Sequence, residues 1–281
     1  MLLIELFIKK YYYCIFGYLN LDANKMSKDL NIKFYDELSD DYHLIFDSWE
    51  EAIKNQALIL DSIIKTHTKS DAQSVLDCAC GIGTQSIGLA SLGYKVSGTD
   101  ISPKAIERAK IEAEKQDVYI PFKVGDFRTL DKNIEGSFDV VIACDNALPH
   151  LMDEVEMLLA AKNIWAKMNT DSLFIGSIRD YDKILDDRPL STQPTVKDTE
   201  NQRTISFQIW DWIKDDIYTV NHFTLKSVEE RFDTYLRKTM YRAYRRYDLA
   251  KIFAKAGFVD INWLMPEQSG YYQPIIICKK F

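Results

Sequence analysis

Residues 74–83, SVLDCACGIG, constrain this chain more than any other stretch. Ser74–Cys78 is a short apolar run of the kind that forms a buried strand, and it leads directly into a turn with glycine at 81 and 83. Glycine lacks a Cβ, so the turn can take left-handed dihedrals and its backbone can pass close to a ligand. Thr84–Leu92 then reads as a helix ending at Gly93, which places the turn at a helix N-terminus. Strand, glycine turn and helix in succession open a layered α/β fold.

The rest of the chain repeats the alternation. Lys95–Thr99 is a second strand closed by Asp100, and Ser102-Pro103 starts a helix running to about Gln116, with serine as cap and proline at the first helical position. Ile120–Val124 is a third strand, followed by Gly125-Asp126, and Phe138–Cys144 is a fourth. A helix over about 153–168 and a fifth strand, Ser172–Ile178, follow. This pattern predicts a mostly parallel sheet with helices on both faces. It breaks after Arg179. Residues 204–246 are rich in β-branched and aromatic residues, with a turn at Lys214-Asp215-Asp216, and read as an antiparallel β insertion within a cap of about 185–246. A helix, Asp248–Ala256, and two strands, Val259–Leu264 and Pro274–Cys278, close the chain. Upstream, 28–65 reads as helical, and Trp49, Ile53, Ala57, Leu60 and Ile64 share one apolar face.

The 281 residues allow one large domain with an insertion, and a net charge of −7 argues against a nucleic-acid surface. Five cysteines, an odd number in a long chain, do not suggest a disulfide framework. Cys78 and Cys80 lie in an apolar segment without a CxxC pair, and they read as small core residues, with no metal expected. Residues 1–27 form an apolar, aromatic leader interrupted by Glu5, Lys9 and Lys10. It has neither the ~20 apolar residues of a membrane span nor a signal-peptide layout. It reads as a loosely held extension, or as sequence upstream of a start at Met26.

The strand ends carry the chemistry. Ligands of open α/β sheets bind beyond the carboxyl ends of the strands, where Asp77, Gly81, Gly83, Asp100 and Asp126 all fall. Asp100 is placed to accept both hydroxyls of an adenosine ribose, and Asp126 to meet the adenine edge. A nicotinamide site shares this much. Three features favour S-adenosylmethionine (SAM). Position 86 is serine, where the dinucleotide fingerprint has its third glycine; Asp77, four residues before Gly81, is placed to hold a methionine amino group; and no second βαβαβ half follows.

The pattern resembles the class I SAM-dependent methyltransferases over residues 30–281. The resemblance implies a Rossmann-like seven-stranded sheet with an antiparallel last strand. It implies a cofactor site of Asp77, Ala79, Gly81, Gly83, Asp100, Ile101, Asp126, Phe127 and Cys144, with SAM as cofactor and S-adenosyl-L-homocysteine as product. Two further segments, N-A-L-P-H-L from Asn146 and R-D-Y-D from Arg179, look like those of glycine and glycine/sarcosine N-methyltransferases. That likeness implies Asn146 at the amine, Arg179 on the amino-acid carboxylate, and Tyr35 and Tyr42 at the cofactor's methionine end. An arginine can bind a carboxylate through two parallel hydrogen bonds; the alternative is an ion pair with Asp180 or Asp182. His150 reads either as a site residue beside the sulfonium or as a core histidine. Of the insertion's aromatics, Trp210, Trp212, Tyr218, His222, Tyr241 and Tyr244, most are expected to pack the sheet, with Tyr218 and Tyr241 the candidates for the acceptor site. Arg242, Arg245 and Arg246 read as a solvated run. Where the related enzymes carry an arginine for the SAM carboxylate, this chain has Lys54-Asn55.

The expectation is therefore a cytoplasmic N-methyltransferase acting on glycine and/or sarcosine, with a small-molecule partner, no nucleic acid and no integral membrane span. The competing readings are a methyltransferase for another small amine, carboxylate or hydroxyl, and a SAM-binding regulator. Oligomeric state stays open.

Overall fold

The structure is a computed structural model, and it describes residues 25–68, 72–199 and 202–281. The expected leader lies outside the described residues except for 25–27, which belong to a helical run over 25–38.

The continuous helix expected over 28–65 is interrupted. After residue 38 the chain turns, makes a 3-10 turn at Tyr42–Ile45, and restarts as α1, Trp49–His67, capped by Ser48 Oγ accepting from Glu51 N. The break puts Asp41 in reach of two cations of a distant sheet, Lys226 at 2.6 Å and Arg237 at 2.7 Å. Helical periodicity alone does not register such a pairing. The apolar face of α1 is as expected: Trp49, Ile53, Ala57, Leu60 and Ile64 are buried.

The central sheet contains β1 Ser74–Asp77, β2 Lys95–Asp100, β3 Phe122–Val124, β4 Phe138–Ala143, β5 Met168–Ser177, β10 Val259–Leu264 and β11 Ile275–Lys280. Its order is β10-β11-β5-β4-β1-β2-β3, and only β11 runs antiparallel to its neighbours. The seven-stranded, mostly parallel sheet with an antiparallel last strand is thus as expected. Strand side chains alternate between faces. Leu76, Val141 and Phe174 enter one core and Val75, Val140 and Ile175 the other. Helices α2 Thr84–Ser91, α3 Pro103–Lys115 and α4 Glu154–Ala166 connect the strands. Ser102 caps α3 and Asp153 caps α4.

After the short α5, Tyr181–Asp187, the chain builds a second sheet: β6 Thr195–Asp198, β7 Arg203–Trp212, β8 Ile217–Val228 and β9 Arg231–Arg242. Every pair in it is antiparallel. The short edge strand β6 lies upstream of the segment read as β. Trp210, Tyr218, Val220, Tyr241 and Tyr244 of this sheet and its exit pack into the core that holds Phe174; of the six aromatics singled out in the sequence all but Trp212 are buried, while Phe232 and Tyr235 stay exposed. Of the arginines expected to be solvated, Arg245 is exposed and Arg242 and Arg246 are partly buried, and each is paired: Arg242 with Asp216, Arg245 with Asp186, and Arg246 with Asp180 and Asp182. Arg245 and Arg246 face acids of α5 and its cap, and Arg242 an acid of the turn before β8. Helix α6, Arg246–Ala256, returns the chain to the central sheet and ends at Gly257. Among the described residues, no helix is long and apolar enough to cross a membrane.

Candidate functional site

A cavity of about 790 Å³, counted to its open mouth, lies beyond the carboxyl ends of β1–β4. That is within the usual size of a cofactor pocket. The order of strands fixes the order of its wall. Gly125, Asp126, Phe127 and Arg128 come from the end of β3; Asp100 and Ile101 from β2; Ala79, Cys80 and Gly81 from β1; Cys144 and Asp145 from β4. Tyr35, Tyr42 and His150 also line it.

The glycine turn is built as its sequence suggests. Gly81 has φ +52, and a Cβ there would meet open space, so its backbone stands at the cavity wall. Gly83 has φ +97 and caps α2; a Cβ there would collide with Ile87 at 2.9 Å. Gly83 therefore shapes the turn and does not line the cavity. Asp100 receives the Gly81 and Ser102 N–H groups at 2.8 and 2.9 Å, one on each oxygen. Each oxygen keeps a lone pair for a further donor. These features fit an adenosine ribose held by a strand-end acid against a glycine turn.

Two of the expected cofactor residues already have partners within the protein. Asp77 is buried and does not line the cavity; it accepts from Ser86 Oγ at 2.7 Å and from Ala79 N at 3.4 Å. Burial pushes its carboxyl up to about 7. Through Ser86 and Ala79 it braces the turn. The serine at 86 is its partner, so the residue that spoke against a dinucleotide site has a structural purpose. Asp126 does line the cavity, but both its oxygens accept from Arg128, and Lys28 lies 3.0 Å away. Arg128 also pairs with Glu156. Lys54 and Asn55 are exposed and outside the cavity wall, so neither stands in for the missing arginine.

The end of β4 carries features that its sequence alone did not mark. Asp145 and Asn146 both adopt positive φ, +56 and +67. Asp and Asn tolerate this conformation better than other side-chain-bearing residues. Ser177 holds the kink, its Oγ accepting Asp145 N at 2.7 Å and its carbonyl accepting Asn146 N at 3.1 Å. The Asp145 carboxylate lines the cavity and accepts from Tyr271 OH at 2.6 Å, Tyr272 OH at 2.7 Å and Gln85 Nε2 at 2.7 Å. Gln85, Tyr271 and Tyr272 went unnoticed in the sequence because their partners lie 60 or more residues away.

The remaining expected residues run from the cavity wall, at Tyr35 and His150, into a layer behind it. His150 Nδ1 lies 3.1 Å from Met240 O. A carbonyl only accepts, so the proton sits on Nδ1, and Nε2 accepts from Tyr35 OH at 2.7 Å. Burial pushes His150 down to about 3, which keeps it neutral at ordinary pH. Tyr241 OH lies 3.4 Å from Tyr35 OH, and the Tyr241 ring packs on His150 at 4.2 Å. Behind Tyr241 stands Arg179, its guanidinium 5.1 Å from that ring and 4.9 Å from Trp210. It donates to Tyr218 OH at 3.0 Å and Gln208 Oε1 at 3.2 Å. It is half-buried and, among the described residues, pairs with no carboxylate; Asp180 and Asp182 go to Arg245 and Arg246. Asn146 Oδ1 accepts Arg179 N at 3.1 Å, while its buried Nδ2 has no partner among the described residues. Asn146, Arg179, Tyr218 and Tyr241 are thus adjacent to one another but do not line the main cavity. Tyr218 is fully buried; its hydroxyl meets Arg179 and Tyr181, and its ring packs among Trp210, Trp212 and Tyr241, so it acts as a support.

Comparison with known proteins agrees with this geometry. Residues 75–167 match a family model described as a methyltransferase domain. Over 154 residues the chain is 29% identical to the glycine/sarcosine N-methyltransferase of Parasynechococcus marenigrum, covering 55% of this chain and 53% of that one. Over 127 residues it is 35% identical to the glycine N-methyltransferase of Homo sapiens, covering 40% and 43%. The chain spans about half the length of these curated relatives. Among solved structures, the sugar N-methyltransferase KedS8 from Streptoalloteichus sp matches with a TM-score of 0.71 at 16% identity, over 85% of this chain and 92% of that one. That last likeness shows the fold alone. Together with the glycine turn and the strand-end acids, these matches show that the chain carries a methyltransferase domain on the fold of the SAM-dependent methyltransferases.

Proposed function

We propose that the protein is a cytoplasmic SAM-dependent N-methyltransferase for a small amino acid, glycine and/or sarcosine, with residues of about 185–246 acting as a cap over the acceptor. The observation that carries the substrate class is Arg179. Removing a guanidinium from water is costly unless an anion or good acceptors compensate it. Here two neutral oxygens and two aromatic faces surround it, and among the described residues no carboxylate pairs with it. A substrate carboxylate completes that set. Asn146, which the likeness places at the amine, has on the same strand-end kink an Nδ2–H with no partner among the described residues, and as a donor it suits the same carboxylate. The named activities of the curated relatives agree with an amino-acid acceptor.

SAM supplies, when bound, an electrophilic methyl group on a sulfonium. The chain's part is to position the acceptor. Arg179 and Asn146 fix the carboxylate and so the direction of the amine. Tyr35 and Tyr42 line the cavity, with Tyr35 held by neutral His150. With its pKa near 3, His150 is a poor base at neutral pH, and its role is to orient Tyr35. The amine arrives neutral or loses its proton to water. The cavity's two described cations, Lys28 and Arg128, both engage Asp126, at the end away from β4.

The test is mass spectrometry of SAM incubations with glycine, sarcosine and dimethylglycine, and with methylamine and an amino sugar as acceptors lacking a carboxylate. Methylated product from glycine or sarcosine, and little from methylamine, is expected. Product only from the amino sugar moves the assignment to the second acceptor class. No product from any amino acid removes the glycine/sarcosine reading and leaves the domain assignment intact.

A further inference from the structure

The methionine end of the cavity lies at β1 and β4, because the acid expected to meet the ribose stands on β2 and the adenine-side residues on β3. Asp77 was the sequence's candidate for the methionine ammonium; it is buried, accepts from Ser86 Oγ and is not among the residues lining the cavity. Asp145 stands in the wall at that end. Its Oδ1 is filled by the Tyr271 and Tyr272 hydroxyls, whereas Oδ2 takes only the Gln85 amide, which leaves Oδ2 an acceptor position. Among the described residues, no lysine, arginine or histidine pairs with it, in contrast to Asp126 with Arg128 and Lys28. Its backbone is held at φ +56 by Ser177, so the carboxylate is kept in place by the kink as well as by its three donors. A carboxylate lining a cofactor cavity, oriented by neutral donors and lacking a cation, is arranged to receive one.

We propose that Asp145 holds the α-ammonium of the methionine moiety of SAM, with Gln85, Tyr271 and Tyr272 orienting its carboxylate. This makes it a cofactor-positioning residue in place of Asp77. The proposal rests on the SAM reading of the cavity and is independent of which acceptor is methylated. It accounts for the ammonium of the cofactor's amino-acid end; Lys54 and Asn55, at the place of the arginine for its carboxylate, are exposed and not among the lining residues.

The experiment is isothermal titration calorimetry of the full chain and its Asp145→Asn variant, with no acceptor present. Asparagine suits the positive φ and keeps the shape while removing the charge. Two probes are compared. S-adenosyl-L-homocysteine carries the ammonium; 5′-methylthioadenosine keeps the adenosine and sulfur but has no amino acid. The variant is expected to bind S-adenosyl-L-homocysteine about 10- to 30-fold more weakly and 5′-methylthioadenosine within about twofold of wild type, as loss of one charge-assisted hydrogen bond implies. Equal weakening of both probes, or no weakening of the first, overturns the proposal. Wild-type protein that binds neither probe overturns the SAM reading with it. A negative result with glycine and sarcosine leaves the Asp145 assignment standing.

Discussion

The cofactor floor and the acceptor side are built on different principles. The floor is main chain and short side chains at the ends of β1, β2 and β4: Gly81, Asp100, Cys144. Each lies within a few residues of the strand that positions it. The proposed acceptor side is a stack of long side chains, Tyr35, His150, Tyr241, Arg179 and Tyr218, drawn from the N-terminal helix, the β4 and β5 ends and the second sheet. Its members meet only because two sheets and a helix pack together. The floor's properties therefore follow from local geometry, and those of the acceptor side depend on how the N-terminal segment, the second sheet and the core are assembled.

The sharpest way to break the comparison is to undo that assembly and ask whether the floor notices. Asp41 joins the N-terminal segment to Lys226 and Arg237, the latter nearly buried. Asp41→Ala leaves the Arg237 charge unpaired and is expected to cost about 3 kcal/mol in urea unfolding. If the acceptor side depends on the clasp, the folded variant loses acceptor turnover by more than it loses S-adenosyl-L-homocysteine affinity. Asp100→Ala is the opposite lesion. It is expected to weaken S-adenosyl-L-homocysteine binding on the order of 100-fold by calorimetry, through the lost ribose contact and the unsatisfied Gly81 N–H. Unchanged affinity there would end the ribose assignment.

Arg179→Lys separates the two regions most cleanly. Lysine keeps the charge but loses the fork and its fit between Trp210 and Tyr241. Steady-state kinetics are expected to show a roughly 30-fold rise in the acceptor KM, as loss of a charge-assisted hydrogen bond predicts, with cofactor affinity within about twofold. Equal loss of both would place Arg179 in the scaffold alone.

Asp77 tests the floor's bracing. Because burial raises its folded pKa to about 7, the folded state holds a proton that the unfolded chain has released above the ordinary carboxylate range. That contribution is complete below the unfolded pKa and is lost as pH rises through 7. Asp77→Asn has no such proton to lose. It is expected to gain stability relative to wild type between pH 5 and 8, by about 1–2 kcal/mol in parallel denaturation curves. A difference that does not vary with pH would mean that Asp77 is ionised in the fold. The smallest expected effect is Tyr35→Phe, which removes the donor to His150 Nε2 and should cost about 1 kcal/mol of stability, with a few-fold lower kcat and little change in S-adenosyl-L-homocysteine affinity.

The contrast also explains which expectations held. Residues 74–83 displayed their strand, turn and cap in consecutive order, and the conformations of Gly81 and Gly83 are those a glycine turn requires. The apolar face of α1 was visible in its spacing, but the interruption before it was not, since Asp41 is drawn out by cations nearly 200 residues away. Arg242, Arg245 and Arg246 looked like a basic run because the acids that neutralise them lie 26 or more residues upstream. Asp77 and Asp145 show the same limit from the other side. Both are acids at the end of a buried strand, and nothing in their neighbours in sequence tells which one faces the cavity.

The sequence by itself determined the alternation of strands and helices, the glycine turn and the acids at the strand ends. These rest on short-range sterics, helical and strand periodicity, and the absence of a Cβ. The tertiary structure alone decided that Asp77 accepts from Ser86 while Asp145 is among the residues lining the cavity, and that Arg179 has no carboxylate partner among the described residues. The direction of a side chain and the identity of its partner are set by whichever segments the fold brings within hydrogen-bond range, and those distances are not encoded in any local pattern.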